Sequence, residues 1–194
     1  MPGSDNAPEA VKILISGGFG VGKTTMVAAI SEITPLHTEE RLTAAGVGVD
    51  DVVGVEAKTT TTVALDFGRI TLTPDLVLYL FGTPGQQRFW FMWNDLAVGA
   101  LGGVVLVDTW RLESSFAAID FFEKRGIPFV VAVNRFEGRP DYGVEQIRGA
   151  LALPPTSPMV MFDARERGAC RDVLLSLVDH VLAQVSAAPL PTAH

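Results

Sequence analysis

The chain has 194 residues, of which 48% are hydrophobic, and this size is typical of one domain that buries a core without disulfides or a structural metal. Its single cysteine, Cys170, excludes a disulfide framework and a multi-cysteine metal site, and it favours a reducing compartment, by default the cytoplasm. A net charge of −7 without a basic run argues against nucleic acid as a partner, since phosphate-backbone binding relies on clustered lysine and arginine.

The longest apolar stretch, residues 96–107, is also too short for a membrane span. It has 12 residues and is interrupted by three glycines, whereas a spanning helix needs ~20 apolar residues. Neither end of the chain carries a secretion or lipidation signal. We therefore expect no direct membrane insertion.

In chain order, apolar runs of strand length alternate with longer segments of helical period. This pattern is typical of an α/β fold with a six-stranded, mostly parallel sheet and helices on both faces. Two strands joined by a short connection predict an antiparallel hairpin at one edge. We expect the domain to span 10–186, with disordered tails at 1–9 and 187–194. The predicted strands are 11–16, 63–67 and 76–81 (the hairpin), 101–107, 128–133 and 158–162, and the predicted helices are 23–33, 86–97, 113–125, 142–151 and 168–186.

The first predicted strand leads into a glycine-rich loop with the letters GGFGVGKT. This matches the phosphate-loop pattern G-x-x-x-x-G-K-[ST], placed as required between a strand and a helix. In such loops backbone N–H groups surround the β-phosphate, the lysine reaches the β and γ oxygens, and the next hydroxyl ligates Mg²⁺. The nucleotide-binding residues predicted here are Gly17, Gly18, Gly20, Val21, Gly22, Lys23, Thr24 and Thr25.

Two later motifs concern the nucleotide base. The letters NRFEG end a buried strand and are close to the N-K-x-D guanine motif, in which a carboxylate accepts hydrogen bonds that only guanine can donate together. The letters DAR stand where the S-A-K loop of small GTPases supports the guanine from the other side. The residues are Asn134, Arg135 and Glu137 in the first motif, and Asp163, Ala164 and Arg165 in the second.

Taken in order, the phosphate loop, TTTTVALDFGRI, GTPGQQ, VNRFEG and DAR resemble the motifs of Ras-like small GTPases over residues 11–186. Within that superfamily the chain most resembles the bacterial conservon-type and MglA-like GTPases. The resemblance implies a P-loop NTPase G domain that binds GTP or GDP with Mg²⁺ and changes shape near 50–63 and 82–95. It also implies a Roadblock-type regulatory partner and a membrane sensor-kinase-like complex, through which a cytoplasmic protein would reach the membrane.

The same resemblance assigns the γ-phosphate and hydrolysis residues. It places Gly85 at the γ-phosphate and Gln86 at the attacking water, so that Gln86 and Lys23 are the catalytic residues. Thr24 and Thr62 become the metal ligands, with Thr61 as the alternative because four consecutive threonines leave the register open.

Two departures from the family pattern bear on the rate. Gly82 stands where a carboxylate normally holds a magnesium-bound water, and Phe19 stands where a small residue leaves room for an arginine finger. No arginine immediately precedes Thr62 to act as a built-in finger. We therefore expect slow intrinsic hydrolysis.

Two alternatives remain open. A degenerate G domain would bind nucleotide without cycling and act as an interaction module, and Gly82 and Phe19 favour this alternative. A P-loop kinase or ATPase is less favoured, because the chain has no inserted arginine-rich segment for an acceptor.

Four further residues need separate interpretation. Asp108 and Cys170 are interpreted as structural, the first capping a turn and the second packing in the core. The aromatic segment 86–98 follows Gly85, the predicted γ-phosphate contact. One apolar stripe of this predicted helix is expected to pack in the core, and Trp90 and Phe91 lie outside that stripe. These two residues are predicted to form a nucleotide-sensitive partner surface.

Overall fold

The first strand is buried on both of its faces. Ile13 and Ile15 pack into one core cluster and Leu14 into the other, and all three are fully buried. Burial on both faces is typical of a central strand in a parallel sheet. In the computed structural model, which describes residues 7–42, 61–138 and 140–187, this strand is the middle one of seven.

The sheet has the order β2-β3-β4-β1-β5-β6-β7. Strand β3 runs antiparallel to both of its neighbours, whereas β1 pairs in parallel with β4 and β5. The carboxyl ends of β1, β4, β5, β6 and β7 therefore meet at one edge of the sheet, where loops can build a common site. The strands are β1 Glu9–Gly17, β2 Leu36–Leu42, β3 Thr61–Thr73, β4 Leu76–Gly82, β5 Ala100–Val107, β6 Phe129–Asn134 and β7 Met159–Phe162.

Helices cover both faces of the sheet. Helices α1 and α5 contribute to the core cluster on one face, and α2, α3 and α4 contribute to the cluster on the other. A short 3-10 helix, Gln87–Met92, precedes α2. The helices are α1 Lys23–Ile30, α2 Trp93–Ala97, α3 Glu113–Arg125, α4 Val144–Ala150 and α5 Arg167–Ala187.

The predicted fold class is confirmed, including the antiparallel pair formed by β3 and β4. The sheet has one strand more than the predicted six, because Leu36–Leu42 adds an edge strand. The predicted helix 86–97 is instead a 3-10 segment followed by a single α-helical turn. At the ends, β1 includes Glu9 and α5 includes Ala187, so the ordered elements reach one residue into each predicted tail.

Several sequence predictions fall on residues outside those described. They include most of the tails, 1–6 and 188–194, and residues 50–60 of the first shape-changing segment. Within the described residues, no helix is both long enough and apolar enough to cross a bilayer.

Candidate functional site

The phosphate loop connects β1 to α1 in a conformation that requires glycine. Gly22 has φ +108°, and a Cβ on this residue would lie 2.6 Å from the Asn134 amide nitrogen. A side chain is excluded by both the backbone angle and the contact. The start of α1 therefore contacts the end of β6, and the phosphate loop and the NRFEG motif form one site.

The Lys23 side chain is enclosed by the phosphate loop and lines the cavity beside it. Its ammonium donates hydrogen bonds to the carbonyls of Gly17 at 3.0 Å and Gly18 at 2.6 Å. Burial lowers the pKa of Lys23 to about 8, and the nearby Asp66 carboxylate opposes that shift. The protein thus holds a desolvated cation where the motif places the β and γ oxygens.

Asp66 is the functional candidate that the sequence reasoning missed. It comes from β3, is buried, and accepts a 2.6 Å hydrogen bond from the Thr24 hydroxyl, the predicted metal ligand. It also lines the phosphate cavity of about 380 Å³ with Lys23 and Thr24. A carboxylate beside a hydroxyl ligand is a donor set suited to Mg²⁺, directly or through a bound water.

The glycine at position 82 is explained by this carboxylate. Gly82 is the cross-strand partner of Asp66, and a Cβ on Gly82 would lie 2.9 Å from the Asp66 Cβ and 3.0 Å from its Oδ2. The space that an aspartate would need on β4 is therefore occupied by an aspartate from β3. The sequence does contain a signal for Asp66: it is a single carboxylate in the predicted strand VALDF, and the predicted hairpin pairs this strand with the one that ends just before Gly82.

The Asn134 side chain joins the two halves of the site. Its amide nitrogen donates to the Val21 carbonyl at 3.0 Å, and its amide oxygen accepts from the Ala164 N–H at 3.0 Å. Val21 belongs to the phosphate loop, and Ala164 to the loop between β7 and α5. Asn134 therefore connects the phosphate loop to the loop that carries Ala164, while the base contacts of both residues stay predictions.

A second cavity of about 210 Å³ adjoins the phosphate cavity, with which it shares Gly20, Gly22 and Thr25. It is lined by the two base motifs, which the fold brings together. Arg165 forms an ion pair with Asp163 at 2.7 Å, and hydrogen bonds from Arg165 lower the pKa of the Asp163 carboxyl. Glu137 lies at the same cavity as an exposed carboxylate that also stabilises the charged Arg165.

Arg135 lies at the rim of the same cavity. Its guanidinium approaches Asp141 at 3.9 Å, while its backbone N–H donates to the Phe162 carbonyl at 2.8 Å. The Arg135 side chain is exposed and free to lie against a flat ring. Its position is consistent with the stacking role predicted for the lysine position of the motif.

The segment after β4 forms the far wall of the phosphate cavity. A Cβ on Gly85 would lie 2.7 Å from the Lys23 ammonium, so this backbone approaches the cation as closely as a glycine permits. Gln86 also lines the cavity, and Phe19 lies at its mouth with 66% of its surface exposed. The Pro84 carbonyl accepts a 3.0 Å hydrogen bond from the Trp93 indole, which anchors this wall to the core.

The two aromatic residues of the predicted partner surface differ in exposure, and the surface itself stays a prediction. Phe91 is 60% exposed, but Trp90 is half-buried and packs against Trp93 with ring centroids 5.4 Å apart. The prediction for Trp90 assumed an α-helix, whereas in a 3-10 helix residues three apart lie on one face, so Trp90 follows Trp93 toward the core. The Trp90 indole nitrogen is buried and has no hydrogen-bond partner in the described part of the chain.

The remaining predicted residues have mixed outcomes. Thr61 and Thr62 begin β3, opposite Leu42 and Arg41, and the metal-ligand role of Thr62 stays a prediction. Asp108 is structural, as predicted: it is fully buried, caps the Trp110 N–H at 3.0 Å and pairs with Arg111 at 3.1 Å. Cys170 is a core residue, as predicted.

The first prediction tests the carboxylate from β3. We expect Asp66→Ala to raise the Mg²⁺ concentration needed for half-maximal nucleotide binding by about tenfold, as for other residues that orient metal ligands. Adding Gly82→Asp to Asp66→Ala should restore part of the loss, since the aspartate then has room on β4. A magnesium titration followed by nucleotide fluorescence measures both.

Two controls accompany this test. Gly82→Asp alone should destabilise the protein by about 1–3 kcal/mol, because its side chain collides with Asp66. Glu123→Ala, an exposed carboxylate on α3, should change neither stability nor metal dependence. Unchanged magnesium dependence in Asp66→Ala would contradict the assignment.

The second prediction follows from the depressed pKa of Lys23. The charged ammonium is the form that binds phosphate, and in the free protein it loses its proton as the pH rises through about 8. Nucleotide affinity should be constant below pH 8 and fall up to about tenfold from pH 8 to 9, with proton uptake on binding. Calorimetry in buffers of different ionisation enthalpy measures both, and Lys23→Arg should lack the step because arginine does not titrate there.

Comparison with known proteins agrees with this geometry. The G domain of the Thermotoga maritima FeoB iron transporter superimposes with a TM-score of 0.56 and 14% identity over 89% of this chain and 99% of that domain. The FeoB G domain of Methanococcus jannaschii gives 0.58 and 14% over 90% and 99%. These matches show the P-loop NTPase fold of G domains.

Two comparisons of sequence extend the result. The uncharacterized protein MJ1339 of Methanocaldococcus jannaschii is 29% identical over 129 residues, which are 66% of this chain and 71% of that protein. A family model described as "conserved hypothetical ATP binding protein" matches residues 15–184. The chain is a P-loop nucleotide-binding domain, and it belongs to this family of conserved hypothetical ATP-binding proteins.

Proposed function

We propose that the protein is a guanine-nucleotide switch of the Ras-like, conservon and MglA-like type, with slow magnesium-dependent hydrolysis of GTP to GDP. The observation that carries the proposal is the double hydrogen bond of Asn134 to Val21 and Ala164. This bridge links the phosphate loop to the two base motifs, and Glu137 lines the adjoining cavity. A carboxylate there accepts from the ring N–H and exocyclic amine of guanine, which adenine does not offer together.

ATP is the second candidate, since the family description names it. An adenine would meet the Glu137 carboxylate with no ring N–H to donate, and such a mismatch at a polar base site costs affinity. The side chains at the cavity therefore favour guanine. The G domains that share the fold support the same choice by analogy.

The residues at the phosphate cavity support turnover over a degenerate domain. Asp66 supplies the carboxylate whose absence at Gly82 favoured degeneracy, and Gln86 lies where it can position a water. Phe19 at the cavity mouth crowds an arginine supplied by another protein. We therefore propose an intrinsic rate on the order of 10⁻⁴ per second, the scale of such proteins without a partner.

The third prediction tests the base. Nucleotide released by denaturing the purified protein should be GDP or GTP, and GDP should displace it far better than ADP does. Glu137→Ala should weaken GDP binding by about 1–3 kcal/mol, since the guanine donors lose a charged acceptor. ADP affinity should stay the same in this variant, and equal affinities for ADP and GDP in the unmutated protein would refute the proposal.

We propose further that this switch acts in the cytoplasm through a Roadblock-type regulatory protein and, through partners, a membrane sensor-kinase-like complex. The surface proposed for the regulator centres on Phe91, which is exposed five residues after Gln86, a residue that lines the phosphate cavity. Exposed aromatic side chains are common anchors of protein interfaces. Movement of Gln86 with the γ-phosphate would move this anchor.

The fourth prediction separates the two aromatic residues. Phe91→Ala should leave the melting temperature nearly unchanged and weaken binding of a Roadblock-type protein from the same organism by more than tenfold, as measured by calorimetry. Trp90→Ala should instead lower the melting temperature, because it removes a ring packed on Trp93. If Phe91→Ala bound the partner with full affinity, the interface would have to lie elsewhere on the protein.

A further inference from the structure

An apolar groove of about 630 Å³ lies on the α1 and α5 face of the sheet. The first half of α5 forms one wall, and the hairpin of β3 and β4 forms the other. The groove shares no lining residue with the phosphate cavity or the base-side cavity. It is therefore a separate feature, and its interpretation does not rest on the proposed switch function.

The groove exposes leucines from three different elements. Leu72 at the end of β3 is 54% exposed, Leu175 on α5 is 53% exposed, and Leu101 on β5 is 37% exposed. Scattered apolar residues are normal on a surface, but contiguous ones that line a concavity mark a binding site. The floor consists of residues that belong to the core or pack against it, among them Ile30 and Ile70.

One end of the groove is basic, although the chain as a whole is acidic. Arg167 and Arg171 are one helical turn apart on α5, and they are the only charged residues among the described ones that line the groove. Arg171 also pairs with its neighbour Asp172 at 2.9 Å, but both side chains are largely exposed, so water weakens the pair. Glu32 interacts with Arg167 but is hydrogen-bonded by Thr71 and does not line the groove.

The order of the lining residues along α5 favours an occupant with one charged end and one apolar chain. The lining residues on α5 run from Arg167 to Val178, which is about 16 Å at the rise of an α-helix. Along that length the two arginines come first and apolar residues follow, which fits one anionic group followed by one apolar chain.

We infer that the groove binds a single acyl chain with an anionic headgroup, a long-chain fatty acid being the simplest example. The chain lies along α5 against the leucines, where burial of methylene groups is favourable. The headgroup lies at the basic end, where the guanidinium groups of Arg167 and Arg171 can bind a carboxylate in bidentate fashion. The chemistry is that of an anionic amphiphile, with one apolar tail and one negative charge.

The experiment is a calorimetric titration of the full chain with octanoate, dodecanoate and hexadecanoate below their micelle concentrations. Binding should be saturable with one site, and each buried methylene should tighten it by about fourfold. The methyl ester of the dodecanoate should bind at least tenfold more weakly, because it carries no charge. Arg167→Gln combined with Arg171→Gln should remove this preference for the acid over the ester.

A glycine in the wall offers a blocking variant with a matched control. Gly168 lines the groove, and a Cβ on it would meet nothing within 4 Å, so Gly168→Phe can fill the groove without displacing its neighbours. Gly149, on α4 and away from the groove, has equally open surroundings. Gly168→Phe should abolish binding of dodecanoate, while Gly149→Phe should bind it as the unmutated protein does.

Several results would overturn the inference. They are the absence of saturable binding, equal binding of acid and ester, and full binding in Gly168→Phe. A protein that binds no fatty acid but loses self-association in Gly168→Phe would show that a second copy occupies the groove instead. Should Gly168→Phe not fold, the paired arginine variant, which changes only exposed groups, decides the question.

Discussion

The amide of Asn134 is the contact on which the geometry of the site depends. It is 6% exposed, and it satisfies a carbonyl of the phosphate loop and an N–H of the loop after β7 at the same time. These segments are far apart in sequence, so their relative position is set by this side chain and by the sheet beneath it. Removing the amide would leave two buried backbone groups without partners, each at a cost of about 1–3 kcal/mol.

The electrostatics of the phosphate cavity depend on the burial of Lys23. Lys23 is held in a desolvated position by the carbonyls of Gly17 and Gly18, with the field of Asp66 opposing the cost of burial. A phosphate group that enters replaces those carbonyls with a stronger, charged acceptor. The cavity is thus arranged for an anion before any anion is bound, which is the basis of electrostatic preorganisation.

The sequence was sufficient wherever function fixes both residue type and spacing. The phosphate loop was located because glycine and lysine have few substitutes in that role, and the hairpin because two apolar runs of strand length are joined by a short connection. The edge strand Leu36–Leu42 was missed because its letters, LHTEERL, include three charged residues and do not alternate. Trp90 was misplaced because periodicity assumed 3.6 residues per turn where the backbone has 3.0.

Asp66 was missed for a different reason. Its role depends on a neighbour sixteen positions away on another strand, and a local motif contains no information about cross-strand pairs. Gly82 and Asp66 can be understood only together, one providing the space and the other the carboxylate. Motif matching at Gly82 alone therefore indicated a missing carboxylate, whereas the structure has the Asp66 carboxylate beside Thr24, on the neighbouring strand.

Because Asp66 lies on β3, the position of its carboxylate depends on the register of β3 against β4. Strand β3 is antiparallel to both β2 and β4, and a slide of β3 by two residues along β4 would keep every side chain on its face while moving Asp66 by about 6.8 Å. A carboxylate on β4 would stay beside α1 during such a slide, because β4 is fixed to β1 by parallel pairing. A metal ion held by Asp66 would therefore be compatible with only one register of β3 against β4.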